Sequence, residues 1–216
     1  MNQYSTVFFD LDGTLTDPKE GITRCIQYAL DQLGEPSFSQ DELASCIGPP
    51  LRESFGRLLQ TNDTARKEQA LKLYRDRFAT VGLFENIVYP GVRELLADLG
   101  SMRVFLATSK PRVYAERILS HFELAACFHG IYGSEMDGRF EKKPDLLQHM
   151  LTLEHLSAES TLMVGDRDHD IIGARQNACG AMGVTYGYGS IEELSSAQAD
   201  HICHSPEEVA AFLGRC

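Results

Sequence analysis

The sequence predicts an α/β fold: a parallel sheet covered by helices and interrupted near its start by an all-helical segment. Three observations predict it. A short apolar run, Val7-Phe8-Phe9, ends in Asp10 and is too short and too β-prone for a helix. From about residue 17 to 84, apolar residues recur only at helical spacing. After Pro90-Gly91, strand-like and helix-like segments alternate, as they do in a parallel sheet with helices on both faces.

Val7 to Phe9 form the first strand. Ile22, Ile26, Ala29, Leu30 and Leu33 place a helix from Gly21, with Gly34 as its C-cap. Leu51, Phe55, Leu58 and Leu59 mark a second helix, and Leu71, Tyr74, Phe78 and Val81 a third. Phe55, Tyr74 and Phe78 read as core, Gly48-Pro49-Pro50 as a rigid turn and Arg52 as a surface charge. Val92, Leu95, Leu96 and Leu99 mark the next helix, and Val104 to Ala107 a strand. A helix follows from Pro111, a residue suited to the first helical position. Thr161 to Val164 is a strand, Asp168 to Ala178 a helix, Ala181 to Thr185 a strand, and a last helix starts near Pro206. His201 and His204 bracket a strand end at the surface. Joining the first strand to the later part gives a Rossmann-like α/β core of residues 1–16 and 85–216, with 17–84 as a helical cap. An insertion after that strand belongs at the carboxyl ends of the strands, where open α/β sheets bind ligands, and is placed to act as a lid.

The 216 residues carry a formal net charge of -11. That balance argues against nucleic acid or an anionic membrane surface as partner. No apolar run approaches the roughly 20 residues that span a bilayer, and the start lacks the pattern of a signal peptide. Cys25, Cys46, Cys127, Cys179, Cys203 and Cys216 are scattered, without zinc spacing. Buried free thiols in the cytoplasm are the expectation, as is a monomer or homodimer.

Chemistry concentrates in four places. In Asp10-Leu11-Asp12-Gly13-Thr14, alternate residues of an extended segment face one side, so Asp10 and Asp12 project together. At about 4 Å and an effective dielectric of 20 their repulsion is roughly 4 kcal/mol, which a divalent cation or a shared proton relieves. A turn into a hairpin is the plain alternative, but no partner strand is evident. Gly165-Asp166-Arg167-Asp168-His169-Asp170 follows another apolar strand. At least one of its aspartates is expected only to cap the next helix; the carboxylates at both strand ends make an oxygen-rich site suited to Mg²⁺. His169 lies in this loop, though Mg²⁺ prefers oxygen. Thr108-Ser109-Lys110-Pro111 sets two hydroxyls beside a helix N-terminus, a place for phosphate. Lys143 precedes Pro144 and a helix; alone it reads as solvated charge.

In this order and spacing the four clusters resemble the haloacid dehalogenase-like superfamily of hydrolases. Tyr89-Pro90-Gly91-Val92, Thr108 to Pro111, Lys143-Pro144-Asp145 and Gly187-Tyr188-Gly189-Ser190 look like its phosphoglycolate phosphatase-like branch. The resemblance implies an Mg²⁺-dependent phosphatase for small phosphorylated metabolites, phosphoglycolate-like or nucleoside 5'-monophosphates. Asp10 would be the nucleophile, forming an aspartyl-phosphate, and Asp12 the general acid and base. Thr108 and Lys143 would hold the phosphoryl group, and Gly13 and Ser109 would touch the substrate. Asp10, the Asp12 carbonyl and Asp166 would bind the metal, with Asp170 as ligand or support. Asp12 speaks against dehalogenation, which has no leaving alcohol to protonate. The alternatives are a phosphomutase of the β-phosphoglucomutase type, which shares the four clusters, and, further off, a phosphoacceptor or binding module without turnover.

Overall fold

The computed structural model describes residues 4–214. Two compact units divide the chain, Met1–Asp17 with Val88–Cys216, and Pro18–Ile87.

Strand β1 (Thr6–Phe9) is buried at every position, as befits an apolar strand covered on both faces. A tight loop leads to β2 (Thr16–Asp17). The helical unit then runs through α1 (Lys19–Gln32), α2 (Gln40–Leu43), α3 (Leu51–Leu58) and α4 (Thr64–Arg77), which passes into a π-helical segment, Phe78–Gly82. The expected aromatic core is present: Tyr74 stacks on Phe78 with ring centroids 5.1 Å apart, and Phe55 meets Tyr74 edge-on. Arg52 is half-buried and paired with Glu68.

The chain returns through β3 (Ile87–Val88), which pairs with β2. There follow α5 (Val92–Ala97), β4 (Arg103–Pro111), α6 (Arg112–His121), β5 (Gly130–Ser134), α7 (Lys143–Leu153), β6 (Thr161–Gly165), α8 (Asp168–Gln176), β7 (Gly180–Val184), α9 (Ile191–Ser196), β8 (His201–Cys203) and α10 (Pro206–Gly214). The six-stranded sheet has the order β5-β4-β1-β6-β7-β8, and its strand pairs are parallel. Thr6 pairs with Arg103 on one side and Thr161 on the other, so β1 is internal. Between sheet and helices, Phe8, Phe105, Met163, Leu147, Met150 and Ile171 pack into one core. Phe8 and Phe105 meet edge-on at 5.7 Å, a favoured aromatic geometry.

Two expectations need correction. The strand expected to end at Ala107 continues to Pro111, so Thr108, Ser109 and Lys110 lie on β4 itself. Its extension pairs with β5, with a register shift between Thr108 and Pro111. Pro111 is therefore the last strand residue and the N-cap of α6, not its first helical residue; a proline without an N–H is tolerated at such a boundary. Strands β5, β2 and β3 and helix α9 were not evident beforehand. β5 reads Gly-Ile-Tyr-Gly-Ser, and its glycines remove the apolar run that marks a strand.

Among the described residues no helix is long and apolar enough to cross a membrane. Cys25, Cys46, Cys179 and Cys203 are buried thiols outside any disulfide, Cys25 meeting Arg77, and Cys127 is a half-buried one; Cys216 lies outside the described residues.

Phe8 is fully buried, and its loss leaves a cavity that the sheet cannot close. Phe8→Ala is expected to lower unfolding free energy by about 3–5 kcal/mol, measured by urea denaturation followed by far-UV circular dichroism.

Candidate active site

The loop after β1 is built to hold its carboxylates still. The Asp10 amide donates to Val164 O at 3.0 Å, tying the end of β1 to the end of β6. Leu11 O accepts from Leu15 N and Thr16 N at 2.9 and 3.0 Å, and Gly13 N donates to Thr16 O at 2.8 Å. Gly13 takes a φ of +85°, and a Cβ there would fall inside the Asp166 carboxylate. Only glycine meets both demands.

Lys143, the first residue of α7, is buried. Its ammonium donates to Ala107 O at 2.7 Å. It also faces Asp170 Oδ1 at 2.7 Å and Asp10 Oδ1 at 3.1 Å, as ion pairs rather than directed hydrogen bonds. Helix α8 crosses the lysine stem at Gly173, where a Cβ would lie 2.7 Å from Lys143 Cγ. Burial pushes the lysine toward neutrality, but Asp10 and Asp170 outweigh it and hold it charged. Burial raises the Asp170 pKa, yet Lys143 and then His169 bring it below the usual carboxylate range. For Asp10 burial prevails over Lys143, with Asp170 adding to it, and the pKa is raised.

Asp166 is fully buried at the end of β6. Its Oδ2 accepts from Tyr188 N at 2.8 Å, and Thr14 Oγ1 approaches its Oδ1 at 3.5 Å. The Tyr188 hydroxyl donates to Asp17. Burial, then the charges of Asp170 and Asp10, push Asp166 up to about 8. Asp12 Oδ2 pairs with Lys110 Nζ at 2.6 Å, while Asp12 Oδ1 is buried without a hydrogen-bond partner. Thr108 Oγ1 accepts from Lys110 N at 3.2 Å, and Ser109 O accepts from the Ser134 hydroxyl at 2.8 Å.

An aspartate does cap α8, as expected, but it is Asp170, which also pairs with Lys143, and Glu193 shares the task. Glu193, from α9, accepts from Asp168 N at 3.0 Å and from Arg167 Nε at 2.8 Å, and Asp170 Oδ2 accepts from Arg167 N at 3.2 Å. His169 approaches Asp168 Oδ1 with Nδ1 at 3.7 Å and Asp170 Oδ1 with Nε2 at 3.8 Å. Burial lowers the His169 pKa, but Asp170 and Asp168 reverse that and raise it.

Asp10, Lys143 and Asp170 thus meet directly, and Asp166 meets Gly13 and Thr14 beside them. Sequence reasoning missed Lys110 and Glu193 as parts of this machinery. Lys110 had a signal: two residues beyond Thr108 on an extended strand, it faces the same side. Glu193 had none, because it reaches the site from an unexpected helix.

The buried side chains Asp10, Asp12, Asp166 and Asp170 outnumber Lys110 and Lys143. With all six ionised and His169 left out, two negative charges are unbalanced, the charge of one divalent cation. The donors are carboxylate oxygens, which suit a hard ion. Asp10, His169 and Asp170 also offer ligand atoms within 4.8 Å of one another, but the lysine ammonium already faces two of these groups.

The family model described as haloacid dehalogenase-like hydrolase matches residues 7–184. A 5'-nucleotidase of Pseudomonas aeruginosa is 47% identical over 93% of this chain and 91% of its own length. The tyrosine-protein kinase PtkA of Mycobacterium tuberculosis is 35% identical over 96% of this chain and 72% of its own. A phosphoglycolate phosphatase of Vibrio parahaemolyticus is 28% identical over 94% and 93% respectively. The crystal structure of a predicted phosphatase from Clostridium acetobutylicum superposes with a TM-score of 0.94 at 39% identity, covering 99% of both chains.

The raised Asp166 pKa has a stability consequence. Between pH 3.8 and about 8 the folded chain holds a proton that the unfolded chain has released. The favourable contribution of neutral Asp166 is therefore complete below that window and lost as pH rises through it. In chelator-treated protein, Asp166→Asn is expected to be stabilising relative to the parent, by an increment that grows from pH 5 to pH 8 in thermal unfolding. A constant increment would show that Asp166 does not titrate in this window.

Proposed function

The chain belongs to the haloacid dehalogenase-like hydrolase family, as an enzyme that hydrolyses phosphoric monoesters, and from that premise we propose a substrate class, a cofactor and a route. The substrate is a small-molecule monoester, with nucleoside 5'-monophosphates ahead of phosphoglycolate-like esters; the 47% identity to a 5'-nucleotidase supports that order. The observation that carries the route is the buried Lys143 ammonium 3.1 Å from the Asp10 carboxylate, at the end of an internal strand.

Asp10 attacks phosphorus, the bond to the leaving oxygen breaks, and Asp12 delivers a proton to that oxygen. Asp12 then takes a proton from the water that attacks the aspartyl-phosphate, releasing phosphate and restoring Asp10. Lys143 and Thr108 hold the phosphoryl oxygens, and Gly13 and Ser109 line the approach. Lys110, 2.6 Å from Asp12 Oδ2, fixes the carboxylate that handles the proton. Asp170 anchors Lys143.

Mg²⁺ would be held by Asp10, Asp166 and the Asp12 carbonyl, with Asp170 supporting. Bound there, it offsets the negative charge that builds on the phosphoryl oxygens. The all-oxygen donors and the two unbalanced charges support this assignment. Residues 17–84 are proposed to serve as the cap and 1–16 with 85–216 as the catalytic core, working in the cytoplasm.

A panel of phosphate esters assayed with and without Mg²⁺ tests the reading. Phosphate release from nucleoside monophosphates, lost on chelation, is expected. Asp10→Asn should lower kcat by about three orders of magnitude or more, and activity retained in that variant would refute the route. Asp12→Asn should lose turnover while still binding inorganic phosphate, as titration calorimetry would report. Isomerisation of a sugar phosphate without phosphate release would mean a phosphomutase instead.

A further inference from the structure

The imidazole of His169 is a half-buried group that the route above does not use. It is the second residue of α8, and its Nε2 has no hydrogen-bond partner and no contact with solvent. One ring nitrogen and oxygens of Asp10 and Asp170 lie within 4.8 Å of one another. The approaches of Nδ1 to Asp168 and Nε2 to Asp170, 3.7 and 3.8 Å, are too long for hydrogen bonds. The ring is thus held beside the attacking carboxylate with a polar atom aimed inward and nothing to receive it. A native structure rarely leaves such an atom without a purpose.

A cation at this trio is disfavoured by geometry. The Lys143 ammonium is already 3.1 Å from Asp10 Oδ1 and 2.7 Å from Asp170 Oδ1, and a metal drawing on the same carboxylates would sit against it. With carboxylates on both sides and an ammonium behind them, the ring's missing partner is an oxygen that accepts a proton from Nε2 and arrives only with substrate. We propose that His169 binds the substrate directly, donating its Nε2–H to a non-bridging oxygen of the phosphoryl group presented to Asp10. It complements Lys143, which reaches the same group from α7. This inference rests on the phosphatase reading above and adds a recognition residue to it.

The test uses the whole chain saturated with Mg²⁺, with inorganic phosphate as the probe in titration calorimetry. Three variants are compared. His169→Ala removes the donor, His169→Asn carries an amide that stops near the level of Nδ1, and His169→Gln carries one that extends toward Nε2. Phosphate affinity is expected to fall about tenfold or more in the Ala and Asn variants, the scale of one hydrogen bond to a charged group, and to recover most of that loss in Gln. Mg²⁺ affinity measured without phosphate should stay within twofold of the parent in all three. If the Ala variant fails to fold, the Asn and Gln pair decides. Phosphate affinity equal to the parent's in Asn, or equally poor in Asn and Gln, overturns the proposal. So does a loss of Mg²⁺ affinity without phosphate, which would make His169 a metal ligand. A parent protein that binds no phosphate with Mg²⁺ present would instead overturn the phosphatase reading itself, and the His169 proposal with it.

Discussion

The structure depends on burying like charges together. Asp10, Asp166 and Asp170 are almost fully withdrawn from water, and an isolated buried carboxylate is very costly. The Lys143 ammonium, between Asp10 and Asp170 and hydrogen-bonded to Ala107 O, makes the cluster tolerable. Removing one member of such a group leaves an unpaired buried charge, which is worse than never having built it. Much of the local sequence serves this lysine: Gly173 clears its stem, β4 supplies its carbonyl, and α7 starts at the residue itself.

The same cluster reconciles an acidic protein with an anionic substrate. A net charge of -11 describes the whole surface, but a phosphoryl group responds to what lies within a few ångströms, because exposed charges beyond about a Debye length are screened. Within that radius Lys110 and Lys143 offset two of the four buried carboxylates, and the two charges left over are those that one divalent cation would neutralise. The sheet brings these groups together: β1 is flanked by β4, which bears Thr108 and Lys110, and by β6, which is followed directly by Asp166. Open parallel sheets bind ligands at their carboxyl ends for this reason.

The sequence was informative where a single residue type answers a single physical demand. Asp10-x-Asp12-Gly13 was legible because paired acids at a strand end have few peaceful uses, and glycine at a left-handed position has fewer. The first strand, the helical stretch and the alternating half were legible from hydrophobic period alone. β5 was not, because its glycines and serine carry no apolar run and it is defined by pairing with β4. The end of β4 was misplaced because Pro111 looked like a helix start, whereas pairing as far as Ser134 extends the strand to it. Glu193 was hidden because a partner more than twenty residues away leaves no local pattern, and Lys110, whose spacing from Thr108 was a signal, gave no hint that Asp12 was its partner. Their contacts, Lys110 with Asp12 and Glu193 with Arg167, exist only once the fold does.

The internal position of β1 also has a bearing on how the molecule comes into being. Thr6 precedes both of its neighbours in the sheet, Arg103 and Thr161, along the chain. The strand that leads into Asp10 must therefore wait for β4 on one edge and, longer still, for β6 on the other. Contacts so distant along the chain close slowly, and an apolar strand exposed in the meantime is prone to aggregation. An incomplete chain accordingly has Asp10 without its setting, and the cluster of Asp10, Lys143 and Asp170 arrives only with the finished sheet.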